Sequence, residues 1–283
     1  MSKNIIGVDL GGTNIRAGKV VEQKIISLRK KNTPSQGTEQ EVLDALTLVI
    51  DECFDNETIA IGIGVPSVVD VEKGIVYNVQ NIPSWKAVPL KTILEKKYNV
   101  PVFVNNDANC FVLGEKYYGK GKPYSSIVGL CIGTGLGSGL IFNNKLYEGR
   151  NCGAGELGNI PYLEHNFEQY CSGHFFSDLL GTDAKSACEE GLNGDGIARE
   201  QYAKYGYHLA QCIKIAMYAY DPELIILGGS LANAFELFKP SLMAAIQNLD
   251  YPNTLKNLRI EVSEMENPAI YGAAALFKNS QLQ

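Results

Sequence analysis

The chain has 283 residues, 45% hydrophobic and 20% charged, enough apolar material for a large core and enough length for two domains. That composition excludes a disordered or fibrous chain, and a net charge of -6 excludes a protein whose task is to neutralise nucleic-acid phosphates. Any anionic ligand has to be held locally, and no nucleic-acid partner is expected.

The opening run MSKNIIGVDLGG is too short for a signal peptide or a membrane span and breaks at Asp9, so a cytoplasmic chain without a membrane partner is expected. The pattern predicts a strand over Asn4 to Leu10, a glycine turn, a second strand over Ile15 to Val21 and a third around Lys24 to Arg29. Apolar residues at 42, 43, 46, 49 and 50 predict a helix over Glu39 to Cys53 with one buried face. The run IAIGIGVP reads as a strand and is followed by a turn at Lys73-Gly74, a helix near Leu90 to Lys97 and the strand Val102 to Val104. Alternation of strand and helix indicates an α/β layer architecture with a partly parallel sheet.

At GKGKP, residues 119 to 123, the composition turns loop-like, and a strand with a glycine turn then appears a second time. Setting IIGVDLGGTNIRAGKV beside IVGLCIGTGLGSGLIF pairs Gly7 with Gly129, Gly11 with Gly133 and Ala17 with Gly139. This suggests a duplicated unit. The expected division is an N-terminal domain over 1–118, completed by a C-terminal helix within 269–283, and a second domain over 119–268. The second half continues with a helix over Ile197 to Tyr220, the strand Leu224 to Leu227, a turn at Gly228-Gly229-Ser230 and a helix near Phe235 to Leu249. The strand Arg259 to Val262 and a helix over Ala269 to Phe277 close the chain.

Three clusters and a further glycine turn carry candidate chemistry. In Asp9-Leu10-Gly11-Gly12-Thr13-Asn14 paired glycines bring backbone N–H groups close to a phosphate, Thr13 adds a hydroxyl, and Asp9 suits a Mg²⁺ water shell; the same pattern also serves an ordinary hairpin turn. Gly133-Thr134-Gly135-Leu136-Gly137 resembles a dinucleotide motif only loosely, because a β-like run rather than a helix follows, and a strand-turn-strand loop of this kind suits a polyphosphate. Gly228 and Gly229, after LIIL, can admit a flat ring against the backbone or can simply lead a strand into a helix.

The third cluster, Asn105-Asn106-Asp107-Ala108-Asn109, follows a buried strand, at the sheet edge where ligands of α/β proteins bind. A carboxylate there can take the proton of an attacking sugar hydroxyl while the neighbouring amide orients the sugar; helix capping is the competing account. Glu156, Asn159 and Glu168 supply further groups able to satisfy sugar hydroxyls, or are solvated surface residues, and Asn81 beside Trp85 is a loop turn or a sugar contact. The seven cysteines show no CxxC or other short metal-ligand spacing.

With DLGGTNIRAG, GVPSVVD, NIPSW, NNDANC, IGTGLGSGLIFNNKLYEG, GELG, CSG and LIILGGS in this order, nearly the whole chain resembles the ROK family of repressors and sugar kinases. The resemblance implies an α/β, actin-like ATPase (ribonuclease H-like) fold with two similar domains around a central cleft. It implies ATP, Mg²⁺ and phosphorylation of a free hexose, commonly at the 6-hydroxyl as in a glucokinase. By that likeness Asp107 is the general base, and Asn81, Asn106, Glu156, Asn159 and Glu168 contact sugar. Asp9, Gly11, Gly12, Thr13, Gly133, Thr134, Gly135, Gly228 and Gly229 meet ATP.

A kinase for another sugar (allose, fructose, N-acetylmannosamine or a β-glucoside) and a non-catalytic sugar sensor are the alternatives. A homodimer is suggested by the family alone. The chain departs from the family where a histidine and a CxCGxxGC cluster hold structural zinc: Asn159 stands at the histidine position and IPYLEHNFEQYCSG holds only Cys171. No zinc is expected from His165, Cys171 and His174, and packing by Tyr162, Phe167 and Tyr170 is expected to hold the loop instead. The first strand starts too early to leave room for the DNA-binding segment of the family's repressors.

Overall fold

A computed structural model describes residues 3–150, 152–247 and 252–282. The chain divides into two compact units, one of Met1–Pro123, Gly139–Ala154 and Glu264–Gln283, the other of Tyr124–Ser138 and Gly155–Ser263. These extents differ from the contiguous segments 1–118 and 119–268: the first unit runs on to Pro123, a further boundary falls inside the strand Leu136–Phe142, and Gly139–Ala154 groups with the first unit.

The first unit is built on β1 (Asn4–Leu10), β2 (Asn14–Val21), β3 (Lys24–Asn32), β4 (Thr58–Val65) and β8 (Val102–Asn106), in the order β3-β2-β1-β4-β8. The first three are antiparallel, while β1, β4 and β8 run parallel. Continuous burial of β4 explains why TIAIGIGV reads as an unbroken apolar run rather than an alternation. Helix α1 (Glu39–Asp51) begins at a capping box in which Thr38 and Glu41 satisfy each other's backbone N–H groups, and it buries Val42, Leu46, Val49 and Ile50.

A small sheet of β5 (Val68–Asp70), β6 (Ile75–Tyr77) and β7 (Ala87–Val88) leads to α2 (Leu90–Tyr98), and β8 runs straight into α3 (Asp107–Tyr117). The closing helix α9 (Pro268–Ser280) packs on β1, β4 and α3 through the buried Ala273, Ala274 and Ala275.

A second five-stranded sheet has the order β11-β10-β9-β14-β15, from β9 (Ile127–Ile132), β10 (Leu136–Phe142), β11 (Lys145–Leu146), β14 (Leu224–Gly228) and β15 (Arg259–Val262). In local numbering both sheets run 3-2-1-4-5, as the paired glycine motifs suggest. Strands β9, β14 and β15 are parallel.

The second unit adds the hairpin of β12 (Pro161–Tyr162) and β13 (His165–Asn166), and the helices α4 (Phe167–Cys171), α5 (Ala184–Leu192), α6 (Gly196–Tyr220), α7 (Phe235–Ile246) and α8 (Pro252–Asn257). The helix expected over Phe235 to Leu249 is thus described to Ile246; residues 248 and 249 lie outside the described residues. Its largest buried side chains are Phe176, Tyr202, Tyr205 and Phe238. Among the described residues no helix is long and apolar enough to cross a membrane.

Candidate active site

In the first unit Asp9 is the one residue of β1 that is only partly buried, and its Oδ2 accepts from Arg16 Nε at 3.2 Å and Nη2 at 2.5 Å. The turn Gly11–Asn14 closes with Gly11 N–H donating to Asn14 O at 2.9 Å, and Thr33 braces it by donating its hydroxyl to Gly11 O at 2.7 Å. Neither Gly11 nor Gly12 has positive φ. The turn therefore needs glycine for close approach, not for a left-handed backbone: a Cβ at Gly12 would stand 2.6 Å from Asn81 Cβ. The same contact brings the predicted Asn81 to the glycine turn.

Helix α3 starts at the carboxyl end of β8. Asn106 is its N-cap, with φ -65° and ψ 148°, and its Oδ1 accepts from Ala108 N at 2.9 Å and Asn109 N at 3.4 Å. Capping and proximity to a site thus coexist in one residue. Asp107 occupies the first helical position, where its Oδ1 accepts from Ala108 N at 2.8 Å. The favourable end of the helix dipole supports a carboxylate there.

In the second unit the turn Gly133–Gly135 closes with Gly133 N–H donating to Gly135 O at 3.0 Å, and Gly173 N–H donates to Gly133 O at 2.7 Å. Glu168, on the first turn of α4, accepts from Leu136 N at 3.0 Å, and a Cβ at Gly135 would stand 2.6 Å from its Oε2. The predicted Glu168 therefore sits at the glycine turn. Asn159 donates its Nδ2 to Glu156 Oε2 at 3.0 Å. Burial holds the Glu156 carboxyl above its ordinary value, the Asn159 bond opposes this, and the nearby Glu168 charge adds to the rise. Glu156, Asn159 and Glu168 thus form one group.

Gly229, with φ +88°, follows β14 and lies against Ile132. The next residues, Ser230 and Leu231, join Gly133, Thr134, Asp183 and Lys185 around a cavity of about 640 Å³ within the second unit. Its volume falls in the ~300–1,000 Å³ range usual for small-ligand pockets. Asp183 and Lys185 escaped the sequence reading; the only local signal is that Asp183 is a good N-cap, accepting from Ser186 N at 2.8 Å.

A ROK family model matches residues 5–280. The chain belongs to the ROK family. It is 30% identical to a glucokinase of Thermotoga maritima, with 97% of each chain covered. It is 29% identical to a xylose repressor of Caldicellulosiruptor bescii, covering 94% of this chain and 76% of the repressor. Among solved structures, a ROK glucokinase of Streptomyces griseus in complex with glucose and AMPPNP is 28% identical, with a TM-score of 0.82 over 96% of this chain and 98% of that one. The fold is accordingly the two-domain, actin-like ATPase fold of the ROK sugar kinases.

The residues at the ROK zinc position do not fit a metal. Cys171 is fully buried, and burial pushes its thiol well above the ordinary range. His174 is bonded to Asp178 at 3.0 Å, and His165 lies on the exposed hairpin. Among the described residues no group of three or more His, Cys, Asp or Glu is placed to hold a metal ion.

An aromatic cluster occupies this region. Tyr162 stacks on Phe167 at 4.4 Å and meets Tyr170 edge-on at 5.4 Å. Its hydroxyl lies 3.1 Å from Nδ1 of His208 on α6. Burial lowers the His208 pKa, which favours a neutral ring able to accept that hydrogen bond. His208, missed in the sequence, pins the hairpin to the long helix.

Proposed function

We propose that the protein is an ATP-dependent hexose kinase that phosphorylates the 6-hydroxyl of a free sugar, with Asp107 as general base. The observation that carries this reading is the start of α3, where Asp107 follows directly on Asn106, whose side chain is fixed by two backbone donors. The sugar hydroxyl oxygen attacks the γ-phosphorus of ATP. As that O–P bond forms, the bond from γ-phosphorus to the bridging oxygen breaks, ADP leaves, and the hydroxyl proton passes to the Asp107 carboxylate.

Asn81, Asn106, Glu156, Asn159 and Glu168 are the proposed sugar contacts. Their amides and carboxylates pair hydroxyls that act as both donors and acceptors. The turns Gly11–Thr13 and Gly133–Gly135 are the proposed phosphate sites, with Gly11 and Gly133 closing the turns and the N–H groups of Gly12, Thr13, Thr134 and Gly135 as donors, and the cavity beside Ser230 is the proposed place of the adenosine next to Gly228 and Gly229. Mg²⁺ brought with ATP would neutralise phosphate charge, with Asp9 as the proposed carboxylate for its water shell; Arg16 engages one oxygen of that carboxylate.

The sugar kinases among the relatives support the reaction, and the xylose repressor supports a sugar-sensing alternative. Sugar-dependent release of ADP separates the two. Glucose, allose, fructose, mannose, N-acetylated hexosamines and a β-glucoside should be tried with Mg-ATP, and the product should carry phosphate on C6. Tight sugar binding without ADP release from any of them would refute the kinase reading in favour of the sensor.

A further inference from the structure

Behind the start of α3 lies a buried polar hub. Asn105, 1% exposed, turns its Oδ1 toward three donors: Asn106 N at 2.8 Å, Asn109 Nδ2 at 2.9 Å and Cys152 Sγ at 3.1 Å. Its Nδ2 donates to Glu148 Oε1 at 2.8 Å. Asn109 is also 1% exposed, and its own Oδ1 is buried without a hydrogen-bond partner.

A carboxamide has two orientations of nearly equal shape, and only its partners choose between them. If Asn105 turned over, its Nδ2 could donate to Asn109 Oδ1 once Asn109 had turned as well, and the orphaned oxygen would be satisfied. That arrangement would withdraw the acceptor from Asn106 N–H and set the Asn105 oxygen against the Glu148 carboxyl. An acceptor at position 148 therefore decides the orientation, since two facing oxygens repel while a carboxylate bonds well to an amide donor.

We infer that Glu148 is a positioning residue for the general base: by accepting from Asn105 it locks the carboxamide whose oxygen fixes Asn106 and hence the entry into α3. The inference rests on the proposed role of Asp107. Glu148, Asn105 and Asn279 border a cavity of about 470 Å³ within the first unit, so a changed side chain at 148 has room and need not disturb the core. Burial raises the Glu148 pKa and the Asn105 bond opposes the rise, in keeping with a group held for its hydrogen bond.

The test compares Glu148→Gln, which keeps an acceptor, with Glu148→Met, which keeps the length and loses it. Two readouts apply: steady-state kinetics, and the rate at which iodoacetamide labels Cys152, followed by peptide mass. Loss of a net hydrogen bond of ordinary strength should lower kcat of the Met variant about fivefold or more, with KM for ATP within about twofold of wild type. Cys152, its thiol held at about 11 by burial and bonded to Asn105, should be labelled faster in that variant. The Gln variant, whose amide can bond to Asn105 in either orientation, should fall between wild type and the Met variant in both.

A smaller loss in the Met variant, or equal loss in the Gln variant, overturns the inference. If the Met variant does not fold, Glu148→Asp, which withdraws the acceptor by one methylene, is judged by the same standard. If the wild type phosphorylates no sugar, the kinase reading falls, and the Cys152 labelling rates alone decide whether the lock exists: faster in Met than in Gln upholds it, equal rates refute it.

Discussion

The segment Asn105–Asn109 in the first unit and the segment Tyr162–Phe176 in the second both hold candidate site residues, by opposite means. The first uses buried amides and a thiol, each pointed by directional bonds. The second relies on stacked and edge-on rings around Tyr162, whose hydroxyl also meets His208. Hydrogen bonds weaken steeply as they are bent and so constrain orientation, whereas ring contacts add area and stiffness but tolerate sliding. A base that must meet one proton calls for the first kind of support. A loop that grips a sugar and sets its identity can use the second.

The largest effect should come from the directional segment. Asp107→Asn is nearly isosteric and should fold and bind sugar normally, yet loss of a general base should lower kcat by ~10²–10⁴-fold. A steady-state assay giving a kcat within a few-fold of wild type would assign the role elsewhere and dissolve the contrast between the segments.

Selectivity should respond in the ring-supported region. Asn159 is exposed, is shorter than histidine and is bonded to Glu156; if it contacts sugar as proposed, it leaves space beside it. Asn159→His should shift kcat/KM between glucose and sugars altered at C1, C2 or C3 by roughly 1–3 kcal/mol, with an altered or C1-substituted sugar favoured in the wild type. A wide lead for glucose that the substitution leaves unchanged would make Asn159 a bystander.

Tyr162→Phe keeps the stack on Phe167 and removes only the bond to His208. About 1 kcal/mol of stability should be lost, read from denaturant unfolding. If rings rather than metal support this hairpin, the unfolding curve of the wild type should be the same with and without a strong chelator. A chelator-sensitive curve would contradict the ring account.

The smallest effect concerns a second polar cluster of the first unit. Asp55 accepts from Lys19 at 2.7 Å and Asn4 at 2.8 Å, and these bonds, Lys19 first, lower its pKa to about 2. A carboxyl depressed in the folded state stabilises above its unfolded value of about 3.8, and that contribution is lost as pH falls from about 4 toward 2. Because the group is partly solvated, screening limits the effect to at most about 1 kcal/mol. Asp55→Asn should flatten the stability profile in that window, measured by urea unfolding between pH 5 and 2. An unchanged slope would mean that the cluster carries no net charge effect.

The elements were legible in the sequence wherever a local rule governs them. Strand β1, both glycine turns, the apolar repeat of α1 and the helical repeat of α6 follow from neighbours within a few residues. Helix α4, the hairpin β12–β13 and helix α5 were not read, because Phe167–Cys171 is a single turn and Pro161–Asn166 has too few residues to show a period. Of the site, Asp107 and Asn106 stood out beside a buried strand. Asn105 was visible in the same run, but its partner Glu148 looked like any other surface acid in LYEGR.

Sequence alone determined the main strands of the two large sheets, the repeat of the glycine turn and the family, since these depend on residue type and spacing along the chain. Tertiary structure decided what each group touches: Glu148 on Asn105, Glu168 on Leu136, and Tyr162 on His208, pairs separated by 43, 32 and 46 positions. It also supplied the reason that Gly12 is bare, which is the nearness of Asn81 Cβ rather than a demand of its own backbone angles. Such contacts depend on how strands and helices pack, and no short-range pattern of residue types encodes that packing.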